Sequence, residues 1–173
     1  MADKFKIEVL DQAVQQGLAQ LQQQGGDLKP TFEVIGRKLK TKIQLGFRSA
    51  QSPWGQQWAP LKLRQGQPLR DTGANLYGRL TYQIGQDDGG FHVDVGTNFK
   101  YAPVHQFGAV IKPVKAKVLR FMGPAGPIFA KKVVIPARPF LPITADGMLD
   151  LPEAWATDVL KALQAHYARV LTQ

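Results

Sequence analysis

Two short runs of residues constrain this chain more than any other feature. Leu80, Tyr82 and Ile84 alternate with Thr81 and Gln83, and Phe91, Val93 and Val95 alternate with His92 and Asp94. A period of two puts apolar side chains on one face of an extended strand and polar ones on the other. The runs are separated by Gln86-Asp87-Asp88-Gly89-Gly90, so they predict a β-hairpin with one buried face. A second hairpin is expected where residues 118–122 and 128–135 flank Gly123-Pro124-Ala125-Gly126-Pro127.

Helical spacing surrounds these strands. Leu10, Val14, Leu18 and Leu21 predict a helix over 9–24, ended by Gly25-Gly26. Phe32, Ile35, Leu39, Ile43 and Phe47 predict another over 30–48, with Arg37, Thr41, Gln44 and Arg48 on the opposite side and Pro30 in the first turn. Trp155, Val159, Leu163, Tyr167 and Val170 form the stripe of a C-terminal helix, and Asp150 with Glu153 has the spacing of a capping box. Between them, 49–72 reads as irregular, with Ser52-Pro53-Trp54-Gly55 and Ala59-Pro60 as turns. A short helix is expected around 74–80 after a Thr72 cap, and residues 101–108 read as a loop returning from the first hairpin. No internal repeat or second core is visible. The order predicts one α+β domain over 1–173: N-terminal helices with 1–26 as a helical arm, an antiparallel β-meander of two hairpins, and a C-terminal helix over 150–173.

Composition excludes several classes. At 44% hydrophobic the chain has enough apolar surface for a core, so global disorder is excluded. It has no cysteine, which removes disulfides, thiol nucleophiles and thiolate metal sites together. No apolar run approaches the length of a membrane span, and Met1-Ala-Asp-Lys-Phe-Lys lacks the apolar core of a secretion signal, so a soluble protein of the cytoplasm is expected. Net charge is +9, unevenly placed. Between Asp94 and Asp146 there is no acidic residue, while Lys100, Lys112, Lys115, Lys117, Arg120, Lys131, Lys132 and Arg138 fall inside that stretch. Such a surface attracts polyanions or an acidic protein. No zinc-finger spacing, RNP motif or basic zipper accompanies it, so reading of a base sequence is not expected.

No catalytic constellation emerges. His92, His105 and His166 share no metal-ligand spacing, and no carboxylate lies near His105 in sequence. Ser49 and Ser52 are the only serines and neither sits in a nucleophile elbow. The glycines of 85–96 match neither a Walker loop nor a dinucleotide fingerprint and suit hairpin turns. Asp87 and Asp88 are adjacent in a turn and point apart. His105 suits a hydrogen bond that holds the 101–108 loop better than it suits a lone general base. No catalytic residue, metal site or cofactor is expected.

Four blocks resemble a known family. They are Phe47-Arg-Ser-Ala-Gln-Ser-Pro53-Trp54-Gly55-Gln-Gln-Trp58-Ala-Pro60-Leu61; Leu69-Arg-Asp-Thr72-Gly73 with Leu76; Val95-Gly96-Thr97 with Tyr101-Ala102-Pro-Val-His105-Gln106-Phe107-Gly108; and Ile135-Pro136-Ala137-Arg138-Pro139-Phe140-Leu141. In order and spacing they are similar to the virion morphogenesis, or tail-completion, proteins of long-tailed bacteriophages, including the Mu-like phages. They span 47–141; Ala74-Asn75 and the basic stretch between Gly108 and Ile135 depart from the pattern.

The resemblance implies a structural protein that completes tails or joins heads to tails, assembled in the host cytoplasm and retained at the virion neck or tail. It implies no enzyme activity. It also implies a homo-oligomeric ring, hexameric by expectation, that meets neck, connector or tail proteins and transiting genomic DNA, without a membrane partner. Trp54, Trp58, Tyr101, His105, Phe107, Arg138 and Phe140 are the candidate subunit or partner contacts, with Trp54 and Trp58 favoured as a core pair. Arg138, held between prolines, suits a bidentate pair with a carboxylate inside the subunit or on a neighbour. Lys112, Lys115, Lys117, Arg120, Lys131 and Lys132 are candidates to line a DNA channel or face an acidic partner ring. The rival readings are a nonspecific nucleic-acid-binding module, a capsid assembly factor and a hydrolase built on His105.

Overall fold

A computed structural model describes residues 27–63, 65–70, 76–88 and 90–171. The expected 9–24 helix and the Thr72-Gly73 cap lie outside these residues. Helix α1 spans Lys29–Ser49. The Leu28 carbonyl accepts the N–H groups of Thr31 (3.0 Å) and Phe32 (3.1 Å), so Pro30 sits in the first turn, where an N–H is not needed. Phe32, Ile35, Leu39, Ile43 and Phe47 are all buried, as their spacing predicts. The helix ends with Ala50 in the left-handed region (φ 54°), and the Gln51 N–H donates back to the Gly46 carbonyl at 2.9 Å.

The remaining elements are β1 (Leu80–Asp87), β2 (Gly90–Thr97), α2 (Ala102–Phe107), β3 (Ala109–Ile111), β4 (Leu119–Gly123), β5 (Gly126–Ala130), β6 (Val133–Ile135) and α3 (Glu153–Leu171). Helices flank antiparallel hairpins, so the fold class is α+β. Among the described residues the strands pair as three two-stranded sheets, β1–β2, β3–β6 and β4–β5. The chain divides into two compact units.

The first unit contains residues 29–43 of α1, the β1–β2 hairpin and residues 142–171. Leu80, Val93 and Val95 are buried while Thr81 and Gln83 are exposed, which is the one-sided burial that the alternation requires. Phe32 and Phe91 pack with ring centroids 5.6 Å apart. Gly36 lies against the Tyr82 ring, and a Cβ there would collide with it. Helix α3 adds a buried polar link: the Thr31 hydroxyl and His166 Nδ1 lie 2.6 Å apart, with both residues buried. Lys42 and Asp158 form an ion pair at 2.6 Å. Two expectations for α3 are corrected. Trp155, Val159, Leu163 and Tyr167 are half-buried, and among residues 153–169 of the helix the buried one is His166. The Asp150–Glu153 capping box does not form, because the helix starts at Glu153 and the Pro152 carbonyl accepts the N–H groups of Trp155 (2.8 Å) and Ala156 (3.0 Å).

The second unit contains residues 44–79 and 97–141. Its core centres on Phe47, which is fully buried and touches the rings of Trp58 (5.4 Å), Tyr77 (5.8 Å) and Phe140 (5.4 Å). The expected 74–80 helix is not present over its described part: 76–79 form turns and Leu80 opens β1. Residues 101–108, expected as a loop, contain α2, because Pro103 fits a first turn and Gly108 at φ 76° stops the helix. The expected strand over 128–135 is divided at Lys131-Lys132. Its first part pairs with β4, Leu119↔Ala130 to Gly123↔Gly126. Its second part pairs with β3, Ala109↔Ile135 to Ile111↔Val133. Residues 109–135 therefore form one out-and-back β-arm with two ladders.

Candidate assembly interface

The sequence-predicted contact residues separate into an inward group and an outward group. Trp58 is buried, its ring edge-on to Phe47, and its Nε1 donates to the Pro139 carbonyl at 2.8 Å. Arg138 is 6% exposed, with Nε donating to the Ala59 carbonyl (2.9 Å) and Nη2 to the Pro60 carbonyl (3.2 Å). Phe140 is 2% exposed. Trp58 and Arg138 tie the 58–60 and 138–139 segments together inside the subunit, and Phe140 packs on Phe47 of α1. Offered as candidate subunit or partner contacts, all three lie inside the subunit, the role already favoured for Trp58 and left open for Arg138: a large apolar ring and a guanidinium with carbonyl acceptors complete a core. Trp54 is half-buried and does not stack on Trp58; its Nε1 is buried with no acceptor among the described residues.

Gln106 organises this region and was not singled out by the sequence. It is 3% exposed; its Oε1 accepts the N–H groups of Phe140 (2.9 Å) and Leu141 (3.0 Å), and its Nε2 donates to the Leu141 carbonyl (3.0 Å). The signal was present in part. Pro139 and Pro142 keep that segment out of a sheet, so its two intervening N–H groups need some other acceptor. Nothing in the spacing names Gln106 as that acceptor.

His105 is half-buried, and its Nδ1 has no partner among the described residues. The tie expected from its imidazole is made instead by its carbonyl, which accepts the Arg138 N–H at 2.7 Å. Burial, and secondarily the Arg138 charge, hold its pKa below the ordinary 6.5. Among the described residues no group of His, Asp and Glu is arranged to hold a metal ion.

The outward group is different. Tyr101 is 50% exposed and Phe107 37%, and Tyr101 stacks edge-on against Phe99 with Lys100 over its ring at 4.8 Å. On the β-arm, Arg120, Met122, Pro127 and Phe129 share the exposed face of β4–β5, in the pairs Arg120↔Phe129 and Met122↔Pro127. Val110 and Val134 lie opposite one another and are both exposed. Lys112, Lys115, Lys117, Lys131 and Lys132 are exposed and make no ion pair among the described residues. The six basic candidates thus do fall on one element, as their spacing implies, but they border apolar surface.

A family model described as the phage virion morphogenesis family matches residues 9–159. The chain belongs to that family. Mu-like prophage FluMu G protein 2 of Haemophilus influenzae strain Rd is 32% identical to this morphogenesis protein over 150 residues, covering 86% of the chain and 91% of the relative. No solved structure matches it significantly. The morphogenesis protein is thus a phage assembly protein associated with building the virion, and no helix among its described residues is long and apolar enough to cross a membrane.

Proposed function

We propose that this morphogenesis protein completes tails or joins heads to tails at the virion neck, acting as a homo-oligomeric, hexameric ring. The observation that supports this reading is the β-arm: an element with exposed apolar side chains on an assembly protein suits contact with other protein surfaces. Connector and tail tube are cyclic, and a protein that seals one to the other matches them best as a ring. In this reading the neighbours are neck, connector or tail proteins. Genomic DNA passing through the ring would meet lysines that contact phosphates without reading bases. The protein is made in the host cytoplasm and stays in the neck or tail region of the particle.

Electron microscopy of particles made without the protein tests the reading. Filled heads beside finished tails indicate joining, and overlong or ragged tails indicate termination. Defective heads, or normal particles, would remove the proposal. A second reading, nonspecific binding of nucleic acid, is favoured by the acid-free basic stretch alone. Steeply salt-dependent binding of duplex DNA by the isolated protein would support it.

A further inference from the structure

The β-arm is apolar on both faces. Leu119, Phe121, Ile128 and Ala130 occupy the half-buried face of β4–β5, while Met122 (72% exposed) and Phe129 (61%) sit on the open one. Val114, between the two ladders, is 95% exposed. A two-stranded ribbon has no second layer of its own, so these side chains stay in water until another surface covers them. A phosphate backbone is a poor cover, since it offers charge and no apolar surface to Met122, Phe129 and Val114. Exposed Lys115, Lys117, Lys131 and Lys132 flank the ribbon along the chain and Arg120 shares its open face, which points to a protein surface with an apolar centre and an acidic edge.

The same chain presents such a surface. Residues 144–150 form a tight turn: Thr144 N–H donates to the Met148 carbonyl (2.8 Å), the Met148 N–H donates to the Thr144 hydroxyl (3.1 Å), and Ile143 bridges Leu149. The turn displays Met148, 53% exposed, between the exposed carboxylates of Asp146 and Asp150, with Glu153 exposed just beyond. None of the three acids has an ion-pair partner among the described residues. The segregation extends to the whole sequence. Residues 44–79 and 97–141 contain thirteen of the 22 Lys and Arg but one of the 13 acidic residues, and the rest of the chain contains nine basic and twelve acidic.

We infer that the β-arm of one copy docks on the Met148 turn of a second copy. Met122 and Phe129 cover Met148, and Lys115 and Lys117 face Asp146 and Asp150. The two patches are different, so the contact is head-to-tail, and repeated it closes a ring or grows open. The inference rests on the proposed self-assembling role and specifies the contact that role uses.

Light scattering on the full chain tests it with three variants: Met122→Ser/Phe129→Ser on the arm face, Lys115→Glu/Lys117→Glu on the arm rim, and Asp146→Lys/Asp150→Lys on the turn. All six positions are exposed, and circular dichroism checks that each variant keeps the wild-type fold. The wild type is expected to be multimeric, and each variant to drop to the mass of one 19.1 kDa chain. Mixing the arm-face variant with the turn variant should give a one-to-one dimer and nothing larger, since one intact arm and one intact turn remain. A wild type that stays monomeric at its highest soluble concentration overturns the inference, as does a face variant with wild-type mass. Loss of DNA binding in the rim variant but not in the face variant, with mass unchanged, assigns the arm to nucleic acid instead. Wild-type mass with lost infectivity in the arm variants also overturns the docking, yet leaves a role in the virion standing. Monomeric arm variants that complete phage normally uphold the docking and sink the neck-ring reading.

Discussion

Gln106 holds the segment around Phe140 and Leu141 with one amide, where a sheet would use a strand. Gln106→Leu keeps the volume but leaves two buried N–H groups without an acceptor, each of which costs about 1–3 kcal/mol. A urea titration of the variant should show a midpoint well below wild type, and an unchanged midpoint would mean the two N–H groups find water. His105 makes stability depend on pH. Its pKa is below the ordinary 6.5 in the fold, so between its folded value and 6.5 the unfolded chain binds a proton that the folded one refuses. Stability from this group is therefore fully present above 6.5 and declines as pH falls below it. Comparing unfolding midpoints at about pH 7.5 and pH 5.5, the difference should be larger for wild type than for His105→Asn. Arg138→Met removes the lesser of the two causes, so NMR titration should find the His105 pKa raised but still below 6.5. In Asp158 the charged form is the favoured one, and its contribution is likewise lost on acidification. The hydrogen bond from Lys42, then its charge, lowers the Asp158 pKa, so this half-exposed pair is lost only as pH falls below the ordinary 3.8.

At the scale of elements, α1 shows how a sequence pattern becomes a packed helix. Its five apolar positions recur three or four residues apart and all five are buried. Gly36 lies on the helix where the half-buried Tyr82 of β1 approaches, and an added methyl would push against its ring. Gly36→Ala gains helix propensity of about 1 kcal/mol but incurs an overpacking cost of about 1–3 kcal/mol, so a lower thermal midpoint is expected. A midpoint equal to or above wild type would show that Tyr82 swings aside. The short α2 depends on Gly108. A Cβ there would lie 2.9 Å from the Ala137 nitrogen and the Ile135 carbonyl oxygen, and φ is 76°. Gly108→Ala meets both obstacles at once and should destabilise by about 2 kcal/mol or more, measurable by the same denaturation.

For the whole molecule, the uneven charge matters more than the net +9. A surface divided into basic and acidic regions attracts copies of itself in one orientation and repels them in the other. If the head-to-tail contact is rimmed by Lys115, Lys117, Asp146 and Asp150, raising salt from about 0.1 M to 1 M shortens the screening length from about 10 Å to 3 Å and should shift the balance toward single chains. The apolar centre resists that change, so some assembly should persist. Sedimentation at the two ionic strengths reads the difference, and equal masses would show that the charges do not contribute.

Read along the chain, periodicity specified α1 and the β1–β2 hairpin, because burial of one face dictates which residues repeat and at what spacing. The four family blocks were equally legible, and they placed the chain among virion morphogenesis proteins. Pairing over long separations was not. That residues 133–135 leave β5 to join β3, that the Pro139–Leu141 segment finds its acceptor in Gln106, and that Arg138 ends on the carbonyls of Ala59 and Pro60 depend on backbone groups, which every residue shares. A side-chain pattern states which surface must be covered; only the folded backbone decides which carbonyl or N–H arrives to complete the contact. The same division explains the candidate interface. Sequence set Trp58, Phe140, Tyr101 and Phe107 side by side as aromatic candidates, and tertiary packing around Phe47 took the first two inward and left the last two at the surface.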